Sequence, residues 1–386
     1  MENSNKKVGI LTSTPSFINN YGAILQAYAL QTQLMKLHME PYIMKYADEH
    51  EYVQGKASIW QRLRGTIFNP NVSFRAKYRT VLQKVKHQSV YPLFSQFQKE
   101  HIRFYNNEYM NYQALGKAAK DFFAFITGSD QVWNPRVHHG INDPGYFLQF
   151  VPEGVKRISY APSMGVNAIP ESCVETLNRY IRSFDSVSIR EESGRQIIKE
   201  KCGLDVPVML DPTLLLDSED YNAISDCSIN PDKPYIVCYL FGKIPQVQKT
   251  IASIAKTYGY TIVNIPAGLD TKFKTDFRIG PRQFIGLISK AALVCTDSFH
   301  ATVFAILYKK TFMAFCREDE TKTSINMNSR ITDLLKTLKL EDGWCGIGTD
   351  IDVHHLPEEN YELSEIILQN KRKECIEYLE KALENK

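Results

Sequence analysis

The chain has 386 residues, 44% of them hydrophobic and 23% charged, with a net charge of +3. This is the profile of a soluble globular protein long enough for two domains, and no run of about 18 apolar residues suggests a membrane-spanning helix. Its eight cysteines are scattered; without a C-x-x-C or a Cys/His cluster at zinc spacing they are expected as reduced thiols, with no structural zinc.

The opening MENSNKKVGIL passes from polar residues straight into a strand, Val8–Thr12. It lacks a signal peptide's apolar core, so a cytoplasmic protein is expected. A polar loop to Tyr21 leads to a helix over about 22–37 and a second strand at 41–45. A basic helical arm over about 52–112 then interrupts the pattern. Residues 55–105 hold ten Lys/Arg against one acid, Glu100, a local charge of +9 that leaves the rest of the chain at −6. Nine aromatics are interleaved, among them Trp60, Tyr91, Phe94, Phe97 and Phe104. Such a stretch can hold nucleic acid, lie on an anionic membrane surface, or pack its aromatics inward and leave its cations solvated.

Strands are next expected at 122–130 (FFAFITGSD) and 157–165 (RISYAPSMG), with a helix over 171–183. SVSIREESG (186–194) reads as a strand ending at Arg190, followed by a helix to about Lys201. VPVMLDPTLLL (206–216) reads as a strand with a Pro-bearing turn that closes the first half. After a polar stretch, a second series runs strand 234–242, helix 245–258, strand 260–266, helix 281–290, strand 291–295, a helix, and strand 311–315. The tail is expected as one amphipathic helix with Ile366, Ile367, Cys375, Ile376, Leu379 and Leu383 inward. Strands alternating with helices predict two Rossmann-like parallel-sheet domains, 1–216 and 217–356, facing a cleft, with residues 357–386 as a C-terminal helix.

The usual nucleotide signatures are missing. There is no G-x-x-x-x-G-K-[ST] and no G-x-G-x-x-G, and GWCGIG (343–348) has the wrong order and no preceding strand. APSMG (161–165) falls one residue short of a nucleophile elbow, and loop rather than helix follows it, so Ser163 reads as a turn serine. What remains are polar groups at strand ends: Asn20, Tyr21 and Gly22; Ser129 and Asp130, with Gln131 and Trp133 behind; Arg190; and Asp297, Ser298 and His300. Each alone is an ordinary cap or turn. Together, at the carboxyl ends of two parallel sheets, they would converge on one cleft. In VCTDSFHATVFAIL (294–307), Asp297 or Ser298 is the natural N-cap, which places His300 among first-turn amides at the positive end of a helix dipole, a position that favours anions.

The blocks NYGAILQAYAL, GSDQVWNP, YAPSMG, SIREESG, LDPTLLL and GPRQFIGLISKAALVCTDSFHATVFAILY, in this order over roughly 7–340, resemble the polysaccharide pyruvyl transferase family. The resemblance implies a GT-B type fold and transfer of pyruvate from phosphoenolpyruvate to a hexose as a ketal in capsule or exopolysaccharide synthesis. The family's phosphoenolpyruvate-binding Arg and His fall on Arg190 and His300. Ala301 stands where the family usually has Gly, and Lys310 replaces a common Pro away from the site. The chemistry fits: a donor bearing carboxylate and phosphate needs a cation that binds bidentately, as Arg190 can, and a helix N-terminus such as the amides around Phe299 and His300. His300 could move protons near pH 7 or, as imidazolium, neutralise the leaving phosphate. Asp130 is the candidate for orienting or deprotonating an acceptor hydroxyl. His300, Arg190 and Asp130 are thus the expected catalytic residues. Asn20, Tyr21, Gly22, Ser129, Gln131, Trp133, Ser163, Asp297, Ser298 and Phe299 are expected to bind substrate. No metal and no cofactor beyond the donor are expected, and no nucleic acid. Acceptor recognition does not carry over from the resemblance; the charge and aromatics of the 55–105 arm point instead to a lipid-linked oligosaccharide acceptor at the inner face of the membrane. Two rivals stand beside this reading. One is a GT-B glycosyltransferase with a nucleotide-sugar donor, although the second half lacks an acidic pair suited to gripping one. The other is a non-catalytic sugar-binding assembly subunit.

Overall fold

Two parallel sheets organise the chain in the computed structural model, which describes residues 6–13, 20–46, 90–106, 108–136, 140–242, 245–267, 273–276, 278–317, 328–346, 348–349 and 351–384. The first contains β1 (Lys7–Leu11), β2 (Glu40–Ile43), β3 (Ala124–Thr127) and β4 (Lys156–Ser159), in the order β2-β1-β3-β4. The second contains β5 (Tyr235–Tyr239), β6 (Thr261–Asn264), β7 (Leu293–Thr296), β8 (Phe312–Phe315) and β9 (Trp344–Cys345), in the order β6-β5-β7-β8-β9. All pairings are parallel. Strands β3, β5, β7 and β8 are buried at every position, as strands covered by helices on both faces must be. Two Rossmann-like units facing one another make this the GT-B arrangement.

The helices are α1 (Tyr21–Lys36), α2 (90–101), α3 (Tyr112–Ala118), α4 (Val174–Ile181), α5 (Glu192–Cys202), α6 (Ser218–Asn222), α7 (Pro245–Tyr258), α8 (Pro281–Lys290), α9 (Phe299–Leu307), α10 (Ser329–Leu338) and α11 (Tyr361–Leu383). Helix α1 lies against α8 and α9 of the other unit. One continuous apolar cluster therefore holds residues from both sheets, from Val8 and Ile10 to Val237 and Val294. This contact sets the N-terminus of α1 beside that of α9.

Two expected strands shrink to single bridges, Ile158↔Ser186 and Ile189↔Val208. Their serines explain one of them. Ser159 and Ser188 bond each other's backbones through their hydroxyls (2.8–2.9 Å) in place of ladder bonds. Pro207 explains the other, since it accepts from the Ile189 N–H but has none to donate.

The basic arm is described from residue 90 onward; Arg62, Arg64, Arg75 and Lys77 lie outside the described residues. Phe94 and Phe97 on α2 are buried against Tyr21 and Tyr28. These two aromatics hold the arm to the body of the protein, so they are not surface for a membrane.

Helix α11 starts on the second unit, where the Tyr361 hydroxyl donates to the Lys310 carbonyl (2.5 Å), and ends on the first. There Tyr378 donates to the Ser159 carbonyl (2.9 Å) and Arg372 to the carbonyls of Leu214 and Leu216 (2.6 and 2.8 Å). Its inward face differs from the expected one: Ile366 is 61% exposed, while Leu368 and Arg372 are buried beside Cys375, Leu379 and Leu383. The stripe follows the carbonyls that Arg372 caps, which hydropathy alone does not reveal.

Candidate active site

At the end of β7, Thr296 donates to the Tyr239 carbonyl (2.7 Å) and accepts from the Ser298 N–H (3.0 Å), which fixes the turn into α9. Ser298 occupies the N-cap position with an extended backbone and no side-chain cap bond. Asp297 is buried and fully engaged. Its carboxylate accepts from the Phe241 and Gly242 N–H groups (2.9 and 2.7 Å) and faces Arg317 (3.4 Å), so it ties the loops after β5 and β8 together. His300 follows in the first turn of α9.

The centre of the site is a residue the sequence does not single out, Asp211. Its Oδ1 accepts from the Thr213 N–H (3.0 Å) and hydroxyl (2.7 Å). Its Oδ2 accepts from Arg190 Nη1 (2.8 Å) and the Ser129 hydroxyl (3.0 Å), and lies 3.5 Å from His300 Nε2. One carboxylate thus gathers an arginine from the first unit and a histidine from the second. Burial alone would raise the pKa of Asp211, but His300, Arg190 and Thr213 hold it far below the ordinary carboxylate range. For Arg190, burial opposes the charge, and Asp211, Glu191 and Asp130 outweigh it, so the guanidinium titrates above its usual value.

Three donors at this centre, Arg190 Nε and Nη2 and His300 Nε2, are buried without a hydrogen-bond partner among the described residues, although Nε lies 3.7 Å from Glu191 Oε2 and His300 Nε2 3.5 Å from Asp211 Oδ2. Buried polar groups are ordinarily satisfied, and exceptions call for a reason. The Arg190 guanidinium also stands 4.7 Å from the centroid of the Phe299 ring, and that ring meets His300 edge-on at 5.2 Å.

The other expected residues divide into two groups. Gly22 approaches closely: a Cβ there would fall 2.0 Å from His300 Nδ1. Ser129 reaches both Asp211 and Arg190, the latter at 3.3 Å. Asp130 is half-buried with φ +73°, a left-handed conformation that Asp tolerates better than most residues, and its charge acts on Arg190. Asn20 caps α1, accepting from the Ala23 N–H (3.2 Å). Tyr21 is buried, stacked on Phe284 and bonded to the Ile279 carbonyl (2.7 Å), and so joins the two units instead of facing a ligand. Trp133 is core: fully buried, stacked on Phe147 and donating to the Tyr146 carbonyl (3.1 Å). Gln131 accepts from Asn134 (2.6 Å). Ser163 donates to Glu191 Oε1 (3.0 Å), which also takes the Met164 and Gly165 N–H groups, so the hydroxyl serves a turn. Among the described residues, no group of three or more His, Cys, Asp or Glu is placed to hold a metal ion.

The chain matches the family described as polysaccharide pyruvyl transferase over residues 20–316, a stretch that carries both Arg190 and His300. It belongs to that family. It is therefore a transferase of polysaccharide pyruvylation. No curated protein sequence matches it significantly. Among solved structures it is similar to UDP-GlcNAc 2-epimerase from Neisseria meningitidis, at 11% identity over 97% of this chain and 99% of that one, with a TM-score of 0.44. The UDP-GlcNAc 2-epimerase from Methanocaldococcus jannaschii gives 10% identity, 94% and 91% coverage and a TM-score of 0.43. The ADP-heptose LPS heptosyltransferase II of E. coli gives 10%, 98% and 98%, and 0.38. Likenesses this distant leave the substrate of the pyruvyl transferase to be argued from its own site.

Proposed function

We propose that the protein transfers pyruvate from phosphoenolpyruvate to two hydroxyls of a hexose, forming a ketal in a surface polysaccharide. One observation carries this reading: a buried arginine and a histidine from opposing units, fixed by one carboxylate, each with an open donor. An anionic group of the donor accepts from Arg190 Nη2 and from His300 Nε2, whose single N–H turns to it from the long 3.5 Å contact with Asp211. Asp211 does not bind the ligand; its lone pairs are taken, and it holds the two donors in register.

One sugar hydroxyl adds to C2 of the donor while C3 gains a proton and becomes a methyl group. The C2–O bond to phosphate breaks, the second hydroxyl closes the ketal, and its proton leaves with phosphate. His300, beside the fixed Asp211 carboxylate, gives and takes these protons. Asp130, half-buried and acting by its charge on Arg190, orients an acceptor hydroxyl in this reading.

Phosphate release that needs both phosphoenolpyruvate and a sugar acceptor tests the proposal. His300→Ala is expected to lower the rate by about 10²–10⁴-fold. Arg190→Lys should also fail, because a point charge does not replace the planar fork. A loss below tenfold for His300→Ala, or turnover of a nucleotide-sugar without phosphoenolpyruvate, would overturn it.

We further propose a lipid-linked acceptor at the membrane surface, supported by the +9 charge of residues 55–105. Cations near anionic lipid contribute about 1 kcal/mol each. Charge reversal at Arg62, Arg64, Arg75 and Lys77 should weaken liposome binding and raise the KM for that acceptor alone. Equal liposome binding by the two proteins at low salt would remove the membrane role.

A further inference from the structure

Arg330, at the start of α10, belongs to no motif that the sequence singles out. It is only 8% exposed, and its Nε has no hydrogen-bond partner among the described residues. Its guanidinium stands 6.0 Å from the centroid of the same Phe299 ring on which Arg190 lies at 4.7 Å. Two arginines from opposite units thus share one aromatic residue next to His300. Long cations are seldom buried without a partner. The surroundings of Arg330 make its burial harder still: desolvation and the neighbouring Arg190 push its pKa down to about 10. Glu191 and Asp130 pull the other way, but Glu191 Oε1 already accepts three hydrogen bonds from the turn at Ser163. In the free protein the Asp211 and Glu191 carboxylates pair with Arg190, and Arg330 makes no ion pair of its own among the described residues.

We propose that Arg330 is a second ligand-binding guanidinium, which holds the anionic group of the donor that Arg190 and His300 do not hold. The inference rests on the phosphoenolpyruvate reading and adds to it a division of labour between the units. The first supplies Arg190 for one anionic end, the second supplies Arg330 for the other, and both cations border the same Phe299 ring. The donor carries two anionic groups, so neither guanidinium alone can satisfy it. Its arrival also offsets the repulsion between the two buried guanidiniums.

The test compares phosphoenolpyruvate binding by wild type, Arg330→Gln and Arg330→Lys, read by thermal shift and by steady-state kinetics. Phosphoenolpyruvate should raise the melting temperature of the wild type. Arg330→Gln should melt no lower than wild type without ligand, because a desolvated cation facing another cation has been removed. Its affinity for phosphoenolpyruvate should fall by about 10–100-fold, the loss of a charge-assisted hydrogen bond. Arg330→Lys, which keeps the charge, should raise the KM for phosphoenolpyruvate severalfold with little change in kcat, and it answers the question even if the Gln variant folds poorly. A merely structural arginine would give the opposite pattern, a lower melting temperature with unchanged affinity and KM, and that result overturns the proposal. If the wild type is not stabilised by phosphoenolpyruvate, the donor reading and this proposal fail together. If it is stabilised and the variants respond equally, the role of Arg330 alone fails.

Discussion

Gly22 shows how little room the site leaves at the scale of single residues. It sits inside a helix, where Ala is favoured over Gly by about 1 kcal/mol, yet a Cβ would meet the His300 ring at 2.0 Å. Gly22→Ala is therefore expected to fold normally, with a melting temperature close to that of wild type, and to lose at least tenfold in turnover as the imidazole is displaced. Unchanged turnover would mean that the ring position is not critical. Asp211 gives a pH prediction. Its folded pKa lies well below the ordinary value, so its contribution to stability is present above about pH 4 and is lost as pH falls through the folded pKa. Asp211→Asn should be less stable than wild type by up to about 3–5 kcal/mol at pH 7, since it takes from the buried Arg190 its hydrogen-bonded carboxylate and leaves only Glu191 at 3.7 Å. Denaturant unfolding should show that gap narrowing toward pH 3; a gap independent of pH would show that Asp211 is not ionised in the fold. The sequence singles out Arg190 and His300 because each stands in a recognisable block, Arg190 just after the Ile189↔Val208 bridge and His300 in the first turn of α9. Asp211 was not, although LDPT shows it plainly: an Asp before Pro reads as a turn cap, and it does accept from Thr213. Its other oxygen, which collects Arg190 and His300, depends on contacts 21 and 89 residues away in sequence.

At the scale of elements, the 3.6-residue and continuous apolar patterns located most helices and the central strands. The expected helix at 281–290 is α8 (Pro281–Lys290), and the one at 245–258 is α7 (Pro245–Tyr258). Where side chains replace the backbone ladder, as Ser159 and Ser188 do, composition still reads as strand although a ladder does not form. The face of α11 was misjudged at Ile366 because that helix packs on carbonyls as well as on apolar groups. Just before α11, Glu359 makes a second pH prediction. Burial, then the Asp342 and Glu341 carboxylates, push its pKa up to about 7, against a backbone hydrogen bond from Gly343. A raised acid contributes stability that is full below about pH 4.5 and lost as pH rises through about 7. Glu359→Gln should thus be more stable than wild type by about 1 kcal/mol at pH 8, after discounting for its partial exposure, and lose the advantage at pH 4. Thermal melts at the two pH values decide it; a variant less stable at pH 8 would mean that the ionised carboxylate is well accommodated.

At the scale of the whole molecule, two parallel sheets are joined by an apolar interface of α1 with α8 and α9 and by α11 passing from the second unit to the first. That interface does more than hold the units together, since it brings the N-termini of α1 and α9 side by side and so packs Gly22 against His300. The division into two α/β halves was legible from the alternation of elements. The way the halves meet was not, because it depends on aromatic contacts such as Tyr21 on Phe284, between residues far apart in the sequence. A crystal structure of the protein soaked with phosphoenolpyruvate tests the central claim most directly. The expected result is the donor bound between the two units, with one anionic group accepting from both Arg190 Nη2 and His300 Nε2 while Asp211 keeps its bond to Arg190. Phosphoenolpyruvate bound away from these two side chains, or a site that admits a nucleotide-sugar there and excludes phosphoenolpyruvate, would contradict it.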